Sequence, residues 1–220
     1  EPPTHTLAEV FFCQPPSPSL GLVLSFDWDQ LFWFHFPTSS WRPRLSSFPP
    51  WPPQLETPSQ LLLDVHLCQD LLHNLTQLVA GKIPEAKGIP VANIFPLFPP
   101  SLGEANTLVC MVENIFPPAV EISWQLNGVQ VTQGVTNTYY TPTEDLTFTR
   151  FSYLKVTPVA GEVYTCIITQ EGDNTSVISY WVPQAPVPSE VLETALCGAT
   201  TVLGVLLALL GITMMMVARR

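Results

Sequence analysis

Apolar and polar positions recur with different periods along this chain, and each period predicts a different kind of element. From Leu20 to Phe26, and again from Gln30 to Phe36, apolar and aromatic residues crowd into short runs separated by Asp27-Trp28-Asp29. This reads as two strands joined by a turn. The second run has Leu31-Phe32-Trp33-Phe34-His35-Phe36 at its core, a density of aromatic side chains that suits a strand covered on both faces. Val10-Phe11-Phe12-Cys13 is an earlier strand-like stretch, whereas Pro37 to Pro58, rich in Pro, Ser and Trp, is expected to be irregular. The period then changes. From Ser59, a suitable N-cap, apolar residues recur at Leu61, Val65, Cys68, Leu72, Leu75 and Val79, in steps of four and three that mark one face of a helix. Strand patterning returns in Thr107–Val112, Glu121–Leu126, Phe148–Val156 and Val163–Thr169, punctuated by Phe116-Pro117-Pro118 and by the hairpin signal Asn127-Gly128.

The last segment is different again. Between Glu193 and Arg219 lie 25 residues without a charge. At about 1.5 Å per residue they span roughly 37 Å as a helix, enough for a hydrocarbon core of about 30 Å. A buried core helix would be shorter and would carry some polar residues. Arg219-Arg220 follows at once, which places the C-terminus in the cytoplasm and everything before the span in the lumen or outside the cell. No signal peptide is legible at Glu1, which reads as the start of a mature chain. Thr200, Gly204, Ala208 and Gly211 form a small-residue face on the span, suited to close approach of another helix, with ordinary lipid-facing sequence as the alternative.

Charge excludes one class of partner. Eight Lys and Arg stand against 18 Asp and Glu, and two of the eight are the terminal Arg219-Arg220. The part before the span therefore carries six bases against 18 acids, a surface that repels phosphates. Nucleic acid is not an expected partner. Nor is covalent chemistry expected: there is no zinc-spaced His/Cys cluster, no Gly-rich phosphate loop and no G-x-S-x-G, and the four histidines, His5, His35, His66 and His73, are scattered. No cofactor or metal is implied.

The five cysteines carry structure instead. Cys110 and Cys166 are 56 residues apart, Trp124 falls 14 after the first, and Tyr164 precedes the second by two. This is the pattern of an immunoglobulin sandwich, with a disulfide between sheets, a buried Trp against it and a tyrosine corner. The bridge is worth about 4 kcal/mol by loop entropy. Cys68 lies in the middle of the apolar helix face and Cys13 in the first strand-like stretch. A Cys13–Cys68 bridge would staple helix to sheet for a similar ~4 kcal/mol, the alternative being two unpaired buried thiols. Cys197, at the membrane boundary, is left over as an inert apolar residue or a palmitoylation site. Asn74-Leu75-Thr76 and Asn174-Thr175-Ser176 are candidate glycan sequons on the lumenal side. Strands followed by one long helix, in roughly 80 residues, make half of a groove-shaped platform, so a second chain is expected to supply the other half.

The wording of the second domain narrows the family. Cys110-x-Val112-x-Asn114-x-Phe116-Pro117-Pro118, Ser123-Trp124 and Phe151-Ser152-Tyr153-Leu154 resemble the constant-type domain of histocompatibility molecules, and in particular the membrane-proximal domain of a class II α chain. Such domains often place a His four residues after the second cysteine, where this chain has Gln170. Further pieces resemble the DM-type, non-presenting members of that family: Phe12-Cys13-Gln14 with Ser17-Pro18-Ser19-x-Gly21-Leu22, Asp29-Gln30-Leu31-Phe32, Pro43-Arg44-Leu45, the helical Cys68, Gly81-Lys82-Ile83-Pro84, Tyr180-Trp181-Val182-Pro183 and Leu196-Cys197-Gly198. Presenting α chains hold the peptide main chain with asparagines along the helix; the matching places here are Gln60 and Leu67, and Leu67 has no side-chain hydrogen-bonding group.

The resemblance implies an α+β fold. Residues 1–84 would form an α1-like platform of antiparallel strands plus one long helix, and 85–184 an all-β C1-type immunoglobulin sandwich. A connecting peptide, 185–194, would lead to a transmembrane helix, 195–218, and a tail, 219–220. It implies the α subunit of a heterodimer with a DM β-like class II-like β chain. Such a heterodimer does not present peptide; it binds peptide-loaded MHC class II and speeds release of the invariant-chain fragment and of weakly held peptides. Its place would be the late endosome or lysosome, with sorting supplied by the β partner. Lys87, in the interdomain link, and Asn114, in the Asn-x-Phe-Pro-Pro turn, match the family's contact surface, with an exposed linker lysine and a turn-forming Asn as the plain readings. A further basic position of the family is Gln184 here. The competing expectations are a conventional class II α chain that presents peptides and a generic immunoglobulin-type adhesion receptor.

Overall fold

The computed structural model describes all residues except 1–3, 15–18, 46, 51–57, 171, 173–174, 185–189 and 220, and only the backbone of 19, 58–59 and 190–193. Strands β1 (Leu7–Gln14), β2 (Ser19–Phe26), β3 (Asp29–His35) and β4 (Ser40–Pro43) form an antiparallel sheet in chain order. The β2–β3 turn takes the left-handed conformation at both central residues, Asp27 (φ 48°) and Trp28 (φ 72°), as the right-handed twist of a two-residue hairpin requires. Neither residue is Gly, and Asp27 is held there by local bonds. Its carboxylate accepts from the Thr6 N–H (2.7 Å) and pairs with the His5 ring (2.7 Å), while its own N–H donates to the Thr6 carbonyl (2.8 Å). The His5 ring also stacks on Phe26, 5.2 Å between centroids.

Two expectations for this sheet need correction. The Pro-rich stretch after Phe36 is not wholly irregular: it contains a single 3₁₀ turn, Phe36–Thr38, and the edge strand β4. Two of its prolines sit where no N–H is needed, Pro37 in the first turn and Pro43 at the end of the edge strand. The aromatic strand β3 is not covered on both faces within this chain, because only Gln30 and Phe34 along it are buried.

Helix α1 (Pro58–Val79) follows, starting one residue before Ser59. Leu61, Val65, Cys68, Leu72 and Val79 are half-buried along one face. Leu75, expected on that face, is 55% exposed; it lies about 40° from the face's centre at 100° per residue. Cys68 is bonded to Cys13 of β1, with Cα atoms 6.3 Å apart.

The rest of the first 183 residues is a two-sheet sandwich. One sheet has the order β10 (Thr141–Pro142), β11 (Phe148–Val156), β6 (Asn106–Ile115), β5 (Val91–Pro96), with β9 (Val135–Asn137) also pairing with β11. The other runs β13 (Ser176–Trp181), β12 (Tyr164–Gln170), β7 (Val120–Leu126), β8 (Val129–Val131). The Cys110–Cys166 disulfide joins β6 to β12 across the sandwich, Cα to Cα 6.5 Å. Trp124 is fully buried in the core and its indole N–H donates to Ser152 Oγ at 2.8 Å, so the one polar atom of the ring is satisfied. Tyr164 buries its ring against Trp181 and donates its hydroxyl to Glu162 at 2.6 Å; burial, then that bond, pushes its pKa well up. Asn127 and Gly128 both take positive φ in the β7–β8 hairpin.

The two halves share one core. Phe12 and Val23 of the first sheet pack in the same buried cluster as Leu108, Cys110, Trp124 and Phe148 of the sandwich. Phe12 and Phe148 are 4.8 Å apart by ring centroids, and Tyr139 donates its hydroxyl to the Leu20 carbonyl. Arg44 closes the other side: its Nε donates to Tyr153 Oη (2.9 Å), its Nη1 pairs with Asp29 (3.3 Å), and its guanidinium lies 4.3 Å over Phe151. Residues Glu1–Pro183 therefore form a single compact unit.

A second unit, Gln184–Arg220, contains helix α2 (Glu190–Ala218). The helix starts earlier than the expected 195, within the stretch read as a connecting peptide; residues 185–189 of that stretch lie outside the described residues. Thr194–Ala218, 25 residues of mean hydropathy 2.4, is long and apolar enough to cross a membrane, which fits a single-pass membrane protein. Thr200, Gly204, Ala208 and Gly211 lie on one face of α2 by their spacing, and the Thr200 hydroxyl donates to the Leu196 carbonyl at 3.0 Å, leaving no unsatisfied group there. Cys197 is free and exposed.

Candidate functional site

A cleft of about 790 Å³ opens where the first sheet, the link between the two halves and the sandwich meet. Val10, Phe12 and Gln14 of β1 form one wall, and their alternation along the strand is what aims all three at it. The link Ala86-Lys87-Gly88-Ile89 forms the floor, and Asn114 with Phe116 after β6 forms the second wall. The loop from Pro142 to Phe148 makes the rim. Lys87 and Asn114, far apart in sequence, thus line one cavity.

Local backbone chemistry fixes that arrangement. Gly88 is buried, and its N–H donates to the Phe116 carbonyl at 2.8 Å. A Cβ at this position would collide with the Asn114 carbonyl oxygen and lie 2.8 Å from the Phe116 nitrogen, so only glycine allows the link to pass so close to the turn. Asn114 takes φ 56°, a left-handed conformation that Asn tolerates better than most residues. Its Nδ2 donates to the Ile89 carbonyl at 3.0 Å, tying turn to link. Lys87 and Asn114 are both exposed. The Asn114 side chain carries an acceptor oxygen besides its donating amide, and Lys87 a cation, at the mouth of the cleft.

A second hollow, about 590 Å³, adjoins the first and shares Asn114, Thr143, Asp145 and Thr147 with it. Trp28 of the β2–β3 turn, Val91, Glu113 and Glu144 complete its main walls.

Other sequence-derived positions fall elsewhere. Asn74 is exposed on α1, whereas Asn174 lies outside the described residues. His66 bonds the Leu62 carbonyl (2.7 Å) and His73 bonds Gln77 (3.0 Å), both on the solvated side of α1. Gln170, at the place of the family's frequent His, is buried and donates its amide to the Phe116 carbonyl at 2.8 Å, so it braces the second wall of the site from behind. Gly88, Ile89 and Leu146 carried no motif in the sequence, and Gln170 stood out only as a departure from the family's His.

Comparison with known proteins agrees with this architecture. Residues 92–173 match the immunoglobulin C1-set domain model. The chain is 38% identical over 216 residues to the HLA class II histocompatibility antigen, DM alpha chain, of Homo sapiens, covering 98% of this chain and 82% of that one. It is 38% identical over 220 residues to the class II histocompatibility antigen, M alpha chain, of Mus musculus, with 100% and 84% covered. It is 33% identical over 207 residues to the human HLA class II DQ alpha 2 chain, with 92% and 77% covered. The chain belongs to the MHC class II α chain family. Of the types compared, the DM and M chains match at higher identity, and over more of the sequence, than the DQ chain does.

Proposed function

We propose that this chain is the α subunit of a non-presenting, DM-type class II-like heterodimer. In this reading residues 1–84 are the α1-like platform, 85–184 the C1-type domain, 185–194 the connecting peptide, 195–218 the membrane span and 219–220 the tail. The partner is a DM β-like chain that completes the platform. The heterodimer binds peptide-loaded MHC class II and accelerates release of the invariant-chain fragment and of weakly bound peptides, stabilising the emptied form. It works in the late endosome or lysosome, where the β chain directs it.

The mechanism needs no reacting side chain. A protein that binds the partly opened client more tightly than the closed one lowers the free energy of opening by that difference. Such differential binding needs a rigid surface that stays put while the client moves. The single observation that carries the reading is that Lys87 and Asn114 line one cleft on a floor that Gly88 and the Asn114–Ile89 bond hold fixed. The helix supports it as well: α1 is stapled to β1 through Cys68, and Leu67, at a peptide-anchoring place, is an exposed hydrocarbon with nothing to offer a peptide main chain.

The test is peptide release. The α chain is co-expressed with candidate class II-like β chains, and the heterodimer is added to class II carrying a fluorescent peptide at about pH 5 and about pH 7. Release that speeds up and saturates with class II concentration supports exchange catalysis. Lys87→Glu and Asn114→Ala are then expected to reduce it by at least about tenfold. No acceleration, with peptide retained by the heterodimer itself, makes this a presenting chain instead.

A further inference from the structure

We propose that the two adjoining clefts act as one docking groove for a segment of the class II client that carries an apolar side chain beside a lysine or arginine. The inference rests on the reading above and names what the client must present to this site. The two hollows lie side by side, since Asn114, Thr143, Asp145 and Thr147 line both. Their chemistries differ in a directed way. The first is predominantly apolar, with Phe12, Ile89, Phe116 and Leu146 around Lys87. The second holds Glu113 and Glu144, and Asp145 stands on the shared wall. Together the two hollows therefore set an apolar patch beside a group of carboxylates.

Leu146 is the feature that most needs an occupant. It is 85% exposed, at φ 60°, on the rim of the apolar cleft. Thr143 and Thr147 hold the loop in place: the Thr143 N–H donates to the Thr147 carbonyl (2.9 Å), the two hydroxyls bond each other (2.9 Å), and the Leu146 N–H donates to the Thr143 carbonyl (3.2 Å). Gly would take this conformation with less strain and without presenting an isobutyl group to water. Ile89, 76% exposed, stands by the same cleft. Two such side chains beside one cavity form the apolar anchor of a contact patch, and the carboxylates beside them set the sign of the partner. A second copy of this chain is the wrong occupant, because the part before the span has six bases against 18 acids and would meet carboxylates with carboxylates.

The experiment measures binding of the full αβ heterodimer to peptide-loaded class II by surface plasmon resonance at low and high salt. Three heterodimers are compared: unaltered, Leu146→Gly, and Glu144→Lys combined with Asp145→Lys. Leu146→Gly is expected to weaken binding at least about tenfold while leaving the melting temperature unchanged or higher. The charge reversal is expected to slow association and to reverse its dependence on salt. If both variants bind as the unaltered heterodimer does while Lys87→Glu does not, the groove is overturned and the exchange reading stands. If the unaltered heterodimer neither binds class II nor speeds release, both fall together. Sedimentation of the heterodimer alone is the last arm: doubling of its mass, lost in Leu146→Gly, would assign the groove to a second copy and overturn the proposal.

Discussion

Position 88 shows how much of the site depends on a single missing atom. The link between the two halves passes the turn after β6 so closely that a methyl group there meets the Asn114 carbonyl, and the backbone has no room to retreat because Gly88 also donates to Phe116. Gly88→Ala is expected to lower the stability of the heterodimer by about 1–3 kcal/mol and to displace Asn114 from Ile89. A lower melting temperature together with slower peptide release would show both effects, and an unchanged melt would mean the approach is looser than it stands here. At Asp27 the Thr6 N–H, then the His5 ring, holds the carboxyl below its ordinary value of 3.8. Because the folded value is depressed, this carboxylate contributes stability above that pH and loses it only as the pH falls further. The β2–β3 turn beside Trp28 is thus expected to stay clasped at about pH 5. A carbon-detected NMR titration of Asp27 would check this: its midpoint should lie below 3.8 and move up in His5→Ala, stopping short of the ordinary value because Thr6 still donates. Residues of this kind were only partly legible in the sequence. Trp124 and Tyr164 were, because a fixed spacing from two cysteines expresses a fixed geometry. Gly88, Gln170 and Leu146 were not, since each acquires its meaning from a neighbour distant in the chain.

Elements were legible in proportion to the length of their period. Helix α1 announced itself over six apolar positions, yet one of them, Leu75, is 55% exposed, since periodicity marks a face but not how much of it is packed. Strand β4 was hidden by prolines that an edge strand tolerates and a central strand does not. The disulfide between β1 and α1 also belongs to this scale. Closing a 55-residue loop reduces the freedom of the unfolded chain by about 4 kcal/mol, and few other contacts hold this helix, whose inward residues are only half-buried. Replacing both Cys13 and Cys68 by Ser is therefore expected to loosen α1 selectively. Hydrogen exchange should quicken over residues 60–79, while β6, β7 and β12, anchored by Cys110–Cys166, keep their protection. Uniform loss of protection in both halves would mean that the shared core around Phe12 and Phe148 couples them into one cooperative unit.

For the whole molecule the question is what covers the apolar surface that this chain leaves open. Leu63, Leu67, Leu71 and Leu78 repeat in steps of four and seven along α1 and are 71%, 60%, 52% and 62% exposed. At 100° per residue they fall within about 80° of one another, on a face turned away from Leu61, Val65 and Leu72. A helix with two apolar faces and only one of them packed belongs between two partners. The sandwich adds Phe95 and Val91 on the exposed side of β5 and Tyr180 and Ile178 on that of β13. Patches of this extent are uncommon on a chain that stands alone, and they favour association with whatever is available. The soluble portion, residues 1–193, expressed by itself is therefore expected to form polydisperse oligomers that bind a hydrophobic dye. Co-expression with a class II-like β chain should give a single species of defined mass with the dye signal largely lost. Light scattering coupled to size-exclusion chromatography distinguishes the two. A monodisperse, dye-free monomer from the α chain alone would show that these leucines need no partner, and would remove the reason for reading the platform as half of a shared one.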